Sequence, residues 1–193
     1  FHSDHTGSNP EMGKTGTIIS HDNVRVRLLK EDNFARTGLP LVTFADDLTV
    51  HFNDDTLQLV HLPNGHTDGD IAVWFKTANV IHMGDHFFKD AFPFVDLSSG
   101  GSVAGYIANI EGILDMVDDQ TVIVPGHGSV ANKADLQRYL DMLKQTSTAI
   151  AAALDSGKSV EQITTTGLGE TWQSWGAGFI NEEAWIQTVA ADR

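Results

Sequence analysis

Alternating apolar and polar positions dominate the first half of the chain and predict β-strands. The stretch LTVHFNDDTLQLVHL predicts two strands joined at Asn53-Asp54-Asp55, and DIAVWFKTANVIHMGD predicts a second pair joined near Thr77-Ala78-Asn79. Two shorter apolar runs, GTIIS and TVIVP, predict short buried strands. Up to about residue 84 the chain is therefore expected to be mostly sheet.

A different periodicity, with apolar residues at steps of three and four, predicts helices. The first such stripe comprises Val103, Ile107, Ile110, Leu114 and Val117. The second comprises Leu136, Leu140, Leu143, Ile150 and Leu154, in a helix that Asn132 can cap and Gly157 can end. A helix is also predicted over His21 to Lys30 and another over NEEAWIQTVAADR. Interleaved strands and helices indicate an α/β fold with helices covering sheet faces.

Length and charge limit the classes of protein that fit. A chain of 193 residues accommodates one domain, spanning residues 1–193. The net charge of −14 repels nucleic acid and anionic lipid, and no apolar run is long enough to span a membrane, so neither is an expected partner. Because the chain has no cysteine, any metal site must use His, Asp and Glu.

The chain begins FHSDHTG, which places three possible metal ligands before any predicted element. In an extended segment, His2 and Asp4 would lie on one side, and a bend at Thr6-Gly7 would bring His5 towards them. The alternative is a set of exposed polar loop residues. Alone, this tetrapeptide does not decide between the two interpretations.

Three later loops also present acid or imidazole where a predicted strand ends. His66 follows an Asn64-Gly65 turn, Asp85 follows an apolar strand and Gly84, and His127 lies between two glycines after TVIVP. Each has an ordinary alternative, namely a solvated histidine or a turn aspartate. Together they favour a metal site, because imidazole and carboxylate are the ligands that Zn²⁺ takes when thiolate is absent.

The motif series H-x-D-H, G-H-T, G-D and P-G-H-G resembles the metallo-β-lactamase superfamily of metal-dependent hydrolases. The resemblance implies a four-layer αββα sandwich. The family's leading motif histidine would directly precede Phe1, and the first N-terminal strands are also missing, so the chain is expected to be N-terminally incomplete. An open sheet edge and an uncovered apolar face then predict a homodimer or strand-exchanged oligomer.

The resemblance also implies roles for individual residues. Ligands of the first metal would be His2 and His66, ligands of the second would be Asp4, His5 and His127, and Asp85 would bridge both. Asp4 and Asp85 are the candidate catalytic residues, Asp4 because it could also orient water. The first position lacks one histidine, which predicts weaker metal binding there.

The implied activity is hydrolysis of an ester, thioester, lactone or amide of a small molecule by a metal-activated hydroxide. Two Zn²⁺ ions are expected, with Fe or Mn as alternatives. Asp85 as a bridging carboxylate resembles glyoxalase II-like and lactonase-like members more than true β-lactamases. Two alternatives stay open, a catalytically impaired metal-binding domain and a β-lactam-hydrolysing member. Family members are often exported, so a periplasmic or secreted location is favoured over the cytoplasm.

Aromatic residues supply the remaining candidates. The loop FFKDAFPFVDLSSGG is predicted to form the pocket wall that selects substrate, with an aromatic cluster pinning a long loop as the alternative. Trp172, Trp175 and Phe179 are expected to pack against the C-terminal helix. His86 either reaches the pocket or packs elsewhere, and His21, His51 and His61 are expected to lie outside the site.

Overall fold

Seven strands and seven α-helices are interleaved along the chain, and the computed structural model describes residues 1–193. The strands are β1 (Ile19–His21), β2 (Val42–Phe44), β3 (Asp47–Phe52), β4 (Asp55–His61), β5 (Ile71–Phe75), β6 (Val80–His82) and β7 (Val122–Val124). The α-helices are α1 (Ser3–Thr6), α2 (Asn9–Met12), α3 (Asp22–Leu28), α4 (Val103–Met116), α5 (Lys133–Asp155), α6 (Val160–Thr166) and α7 (Glu182–Ala191). Short 3₁₀ segments cover Arg36–Gly38, Gly84–His86, Leu97–Ser99 and Glu170–Ala177.

The main sheet has five strands in the order β3-β4-β5-β6-β7. Both predicted hairpins are confirmed, because β3 pairs antiparallel with β4 and β5 pairs antiparallel with β6. Asn53 and Asp54 adopt the left-handed conformation, with φ of 50° and 61°. Asn and Asp tolerate this conformation better than other side chains, which is why this turn is recognisable from sequence.

Three strand ends meet at one edge of this sheet. The β4–β5 and β5–β6 pairs are antiparallel and the β6–β7 pair is parallel, so β4, β6 and β7 run in the same direction. The loops that follow these three strands carry His66, Asp85 and His127. The topology therefore brings the three candidate ligands to a common edge.

Helices α4 and α5 cover one face of the sheet. Ala72, Ile81 and Ile123 point into this layer and are fully buried. The side chain of Asn132 accepts a hydrogen bond from the backbone of Asp135 and completes a capping box, which confirms the predicted start of α5. The fold is α/β, as predicted.

The opposite face of the sheet is apolar but less covered. Val73 and Phe75 are half-buried there, and Val122 is 40% exposed. The only other sheet is the two-stranded parallel pair β1-β2. The chain thus supplies one large sheet with its helical layer, as expected for a sandwich that lacks its first strands.

Several predicted boundaries shift, and β2, the short helices α1, α2 and α6 and the 3₁₀ segments were not predicted. The strand in GTIIS begins only at Ile19, and the following helix is α3. Helix α6 and the 3₁₀ segment Glu170–Ala177 lack the long apolar periodicity that would reveal them. None of the helices combines the length and apolar character needed to cross a membrane.

Candidate metal centre

The N-terminal motif lies on a helical turn, so the prediction of an extended segment is wrong. His2 caps α1, and its carbonyl accepts hydrogen bonds from the backbone N–H groups of His5 and Thr6, both at 3.0 Å. The Thr6 hydroxyl donates to the carbonyls of Phe1 and His2. These bonds close a single helical turn. Asp4 lies in this first turn, where the exposed backbone N–H groups favour a carboxylate. His2, Asp4 and His5 still reach one volume, by way of this turn.

The glycine before His127 allows two loops to approach closely. A Cβ atom at Gly126 would lie 2.2 Å from Oδ1 of Asp85, a distance that no side chain can occupy. The backbone N–H of Gly126 also donates to the carbonyl of Gly84 at 2.8 Å. The backbone of the loop after β7 therefore packs directly against the Asp85 carboxylate in the loop after β6, and this close approach requires glycine at position 126.

Two imidazoles and one carboxylate form the first group of potential ligands, His2, His66 and Asp85. Nδ1 of His2 lies 2.9 Å from Nε2 of His66, and Nε2 of His66 lies 3.5 Å from Oδ2 of Asp85. On the far side of each ring, Nε2 of His2 faces the carboxylate of Asp96 at 3.1 Å and Nδ1 of His66 faces the carbonyl of Phe94 at 2.7 Å.

These outer contacts fix the tautomers of the two rings. A carboxylate and a carbonyl only accept hydrogen bonds, so Nε2 of His2 and Nδ1 of His66 must carry the hydrogens. In neutral imidazoles, the inner nitrogens then present two lone pairs to each other at 2.9 Å. Two lone pairs cannot form a hydrogen bond, whereas a shared cation satisfies both. The donor set fits a divalent metal on this ground.

The second group shares Asp85 with the first and adds three residues, Asp4, His5 and His127. Oδ1 of Asp85 lies 3.0 Å from Nε2 of His5 and 3.3 Å from Nε2 of His127. Oδ2 of Asp4 lies 3.4 Å and 3.5 Å from the same two nitrogens. The other five predicted ligands are therefore gathered around the buried carboxylate of Asp85.

The central carboxylate is ionised, and no donor is aligned for a hydrogen bond to its Oδ1 although Nε2 of His5 lies 3.0 Å away. Burial raises the pKa of Asp85, but the surrounding histidines, His5 foremost, outweigh burial and leave the pKa below its usual value. The contact with Asp85 likewise raises the pKa of His5. Oδ1 of Asp85 is buried without a hydrogen-bond partner, which marks the position that a cation would fill.

Two supporting groups were missed by sequence reasoning, the Asp96 carboxylate and the Phe94 carbonyl. Burial opposes ionisation of Asp96, but hydrogen bonds from Ser98, Ser99 and His2 hold its pKa at about 2. A fully ionised acceptor therefore orients the His2 ring. Asp96 lies 94 residues from His2, and the sequence around it shows only an acid in an aromatic loop that also contains Asp90.

The floor beneath Asp85 is a buried polar cluster. The Tyr106 hydroxyl donates to the carbonyl of Asp85 at 2.7 Å and lies 2.9 Å from the Tyr139 hydroxyl. His86 stacks on Tyr106, and burial lowers the pKa of His86 to about 4. His86 is thus a neutral, core-packed support, in agreement with the packing alternative. Tyr106 had no sequence signal beyond its place in α4.

Outside the centre, His21 and His61 stack on each other with ring centroids 3.7 Å apart, and exposed His51 lies on β3. None of the three belongs to either ligand group, as expected.

A cavity of about 580 Å³ opens onto the centre. Its lining includes the candidate ligands His2, Asp4, Asp85 and His127. Residues of the predicted wall loop also line it, namely Phe88, Lys89, Ala91 and Phe94. Phe179 also lines this cavity and is 83% exposed, so the expectation that it packs against the terminal helix is wrong. Trp175 is buried in the core.

A family model described as "Metallo-beta-lactamase superfamily" matches residues 1–127. The chain belongs to the metallo-β-lactamase superfamily. Among curated relatives, the chain is 35% identical over 90 residues to the uncharacterized protein ML0493 of Mycobacterium leprae, covering 46% of this chain and 40% of that protein. It is 25% identical over 147 residues to a metallo-beta-lactamase type 2 of Bacteroides fragilis, covering 75% and 57%. The chain thus spans about half the length of the curated relatives that it matches.

Solved structures of the metallo-β-lactamase superfamily share the fold. A metallo-beta-lactamase from Pontibacter korlensis gives a TM-score of 0.63 at 20% identity, covering 74% of this chain and 65% of that one. The sec-alkylsulfatase Pisa1 from Pseudomonas also gives 0.63, at 13% identity, covering 78% and 26%. These likenesses confirm the predicted metallo-β-lactamase fold.

Proposed function

We propose that the chain is the metal-binding part of a hydrolase that uses a dinuclear zinc centre to cleave an ester, thioester, lactone or amide of a small molecule. The observation that carries this proposal is the pair of lone pairs that His2 and His66 present to each other beside the buried carboxylate of Asp85. Superfamily membership supports metal-dependent hydrolysis as the general class of reaction.

The two ligand groups would hold one ion each. His2 and His66 would bind the first ion, and His5, His127 and Asp4 the second, with Asp85 shared between them. Bound there, zinc would supply Lewis acidity and lower the pKa of water. The first group offers only two imidazoles, so we expect its ion to be the weaker one.

The chain's own residues orient the reactants. The Asp4 carboxylate is 53% exposed at the cavity side, where it accepts a hydrogen bond from water and directs the water towards the substrate. Asp85, only 6% exposed, holds the imidazoles of both groups around one buried negative charge. The tyrosine pair beneath Asp85 holds its backbone in place.

The test combines metal content with turnover. Zinc-loaded protein is expected to contain about two ions per chain and to hydrolyse neutral esters or lactones, and chelation is expected to abolish turnover. His127→Ala should lower kcat/KM by at least about 100-fold, whereas His51→Ala, an exposed histidine outside the centre, should leave it unchanged. Equal activity of His127→Ala and the unmodified chain would refute the proposal.

Two alternatives have a specific observation in their favour. In this chain the first group holds two imidazoles and one carboxylate, which favours a metal-binding domain without turnover that would bind about one ion and hydrolyse none of the substrates. The similarity to metallo-beta-lactamase type 2 proteins favours β-lactam hydrolysis, so a chromogenic β-lactam belongs in the substrate panel. Faster turnover of the β-lactam than of any ester or lactone would replace the leading proposal.

A further inference from the structure

Beside the ligand groups, the cavity wall is formed mainly by aromatic and small side chains. Phe88, Ala91, Phe94 and Phe179 supply its apolar surface, and Gly128 and Gly178 leave it open. A volume of about 580 Å³ lies in the range that holds a small organic molecule. The wall thus has the size and chemistry to hold an apolar group next to the metal centre.

Phe179 is fixed at the cavity mouth although its ring is exposed. The neighbouring Ile180 pairs with Phe92 in an isolated β-bridge, and the N–H of Phe92 donates to the carbonyl of Trp175 at 3.0 Å. The Phe179 ring meets the Phe94 ring edge to face, with centroids 6.1 Å apart and planes at 84°. Two tethers and an aromatic contact therefore hold an 83% exposed phenyl ring beside the site.

The single basic side chain that lines this cavity is already paired. Nζ of Lys89 donates to Asp135 at 3.0 Å and to the carbonyl of Val130 at 3.1 Å, and the side chain is 15% exposed. No arginine and no second lysine lines the cavity. With a net charge of −14, the cavity lining away from the proposed metal centre therefore provides no free cation to bind the distal end of a substrate anion.

From this wall we infer that the site selects neutral substrates that carry an apolar acyl chain, and that Phe94 and Phe179 hold that chain. The inference rests on the proposed hydrolytic function and narrows its substrate class to uncharged alkyl or aryl esters and lactones. A substrate whose distal end is a carboxylate would lose the aromatic contacts and gain no ion pair.

Kinetics with a matched pair of esters test the charge preference. With zinc-loaded protein, kcat/KM should rise about threefold per added methylene from p-nitrophenyl acetate to the hexanoate. The half-ester p-nitrophenyl hydrogen adipate has the same number of acyl carbons but ends in a carboxylate, and its kcat/KM should be at least about tenfold below that of the hexanoate. Equal or faster turnover of the adipate would overturn the inference.

A matched pair of phenylalanine variants tests the residue. Phe179→Ala should lower kcat/KM for the hexanoate about tenfold and leave the acetate within about twofold. Phe52→Ala removes another exposed phenyl ring, 63% exposed on β3 and outside the cavity, and should leave both substrates unchanged. If the two variants have the same chain-length profile, Phe179 does not hold the acyl chain.

A binding measurement separates this inference from the proposed function. In NMR spectra of the zinc-loaded protein, the amide signals of Gly128 and Gly178 should shift on titration with 2-octanone. Phe179→Ala should raise the dissociation constant obtained from these shifts about tenfold. If no ester is hydrolysed but these shifts occur, the hydrolytic proposal fails and the apolar site stands. If esters are hydrolysed without shifts at these glycines, the inference fails and the hydrolase stands.

Discussion

Replacing Asp96 with asparagine is expected to weaken zinc binding without disturbing the fold. Oδ2 of Asp96 accepts from Nε2 of His2 at 3.1 Å, whereas Oδ1 accepts from the hydroxyl of Ser98 and the backbone of Ser99. Asparagine keeps one carbonyl oxygen for the serines but presents an amide NH₂ to His2. The His2 ring then loses the acceptor that fixes its tautomer and orientation.

The magnitude follows from how much of the site this contact supports. Removing an outer partner of a metal-bound histidine typically costs 10- to 100-fold in metal affinity, or about 1.4 to 2.7 kcal/mol. Asp96 supports one of the two imidazoles of the first group and none of the second group. We therefore expect about a tenfold loss, close to 1.4 kcal/mol, for the first ion only.

Competition with a chromophoric zinc chelator measures both affinities. Asp90→Asn is the matched control, because Asp90 lies on the same loop but outside both ligand groups. The Asp90 side chain is 57% exposed and pairs with Arg138. Its φ of 61° suits asparagine as well as aspartate. If Asp96→Asn binds both zinc ions as tightly as Asp90→Asn, the Asp96 contact does not orient a metal ligand and the reasoning is refuted.

Three further predictions concern the loops, the core and the pH response. Gly126→Ala would place a methyl group 2.2 Å from Oδ1 of Asp85, so the variant should bind less than half the zinc of the unmodified chain by atomic absorption; unchanged content would contradict the packing described. Ile123→Ala should lower the free energy of unfolding in urea by about 2 to 5 kcal/mol, while Val122→Ala, on the less covered face, should cost below about 1 kcal/mol; equal losses would mean that both faces are covered in solution. Burial lowers the pKa of His61 in the folded chain below the usual value of 6.5. Below pH 6.5 the unfolded state therefore binds more protons than the folded state, and the free energy of unfolding should fall as pH drops from 7 to 5. Because burial lowers the pKa of His86 to about 4, His86 contributes to the same fall, so His61→Gln should lessen the fall in urea titrations without removing it, and an unchanged slope would assign it entirely to other groups.

Local chemistry explains which elements could be predicted from the sequence. The β3–β4 hairpin was recognisable because Asn53 and Asp54 permit a left-handed turn between alternating strands. Helix α5 was recognisable because Asn132 provides a cap at the start of a long apolar stripe. In both cases, the signal lies within one element and needs no knowledge of distant contacts.

The parts that sequence reasoning missed depend on contacts between distant segments. The single turn of α1 is too short to show periodicity, so the ligands His2 and Asp4 were recognised while their backbone was not. Asp96 and Phe179 are defined by partners far along the chain, His2 in one case and Phe94 in the other. Residue types and spacing thus identified the candidate ligands, whereas the groups that orient them required the folded chain.

One loop carries both part of the cavity lining and the acceptors that orient two candidate ligands. The ring of Phe94 lines the cavity while its carbonyl binds His66, and Asp96, two residues further on, binds His2. Substrate range can therefore diversify by exchanging side chains at Phe94, because the carbonyl survives any such exchange. Insertions or deletions in this loop would move both acceptors away from His2 and His66. Natural variation in the loop should therefore change its composition and keep its length.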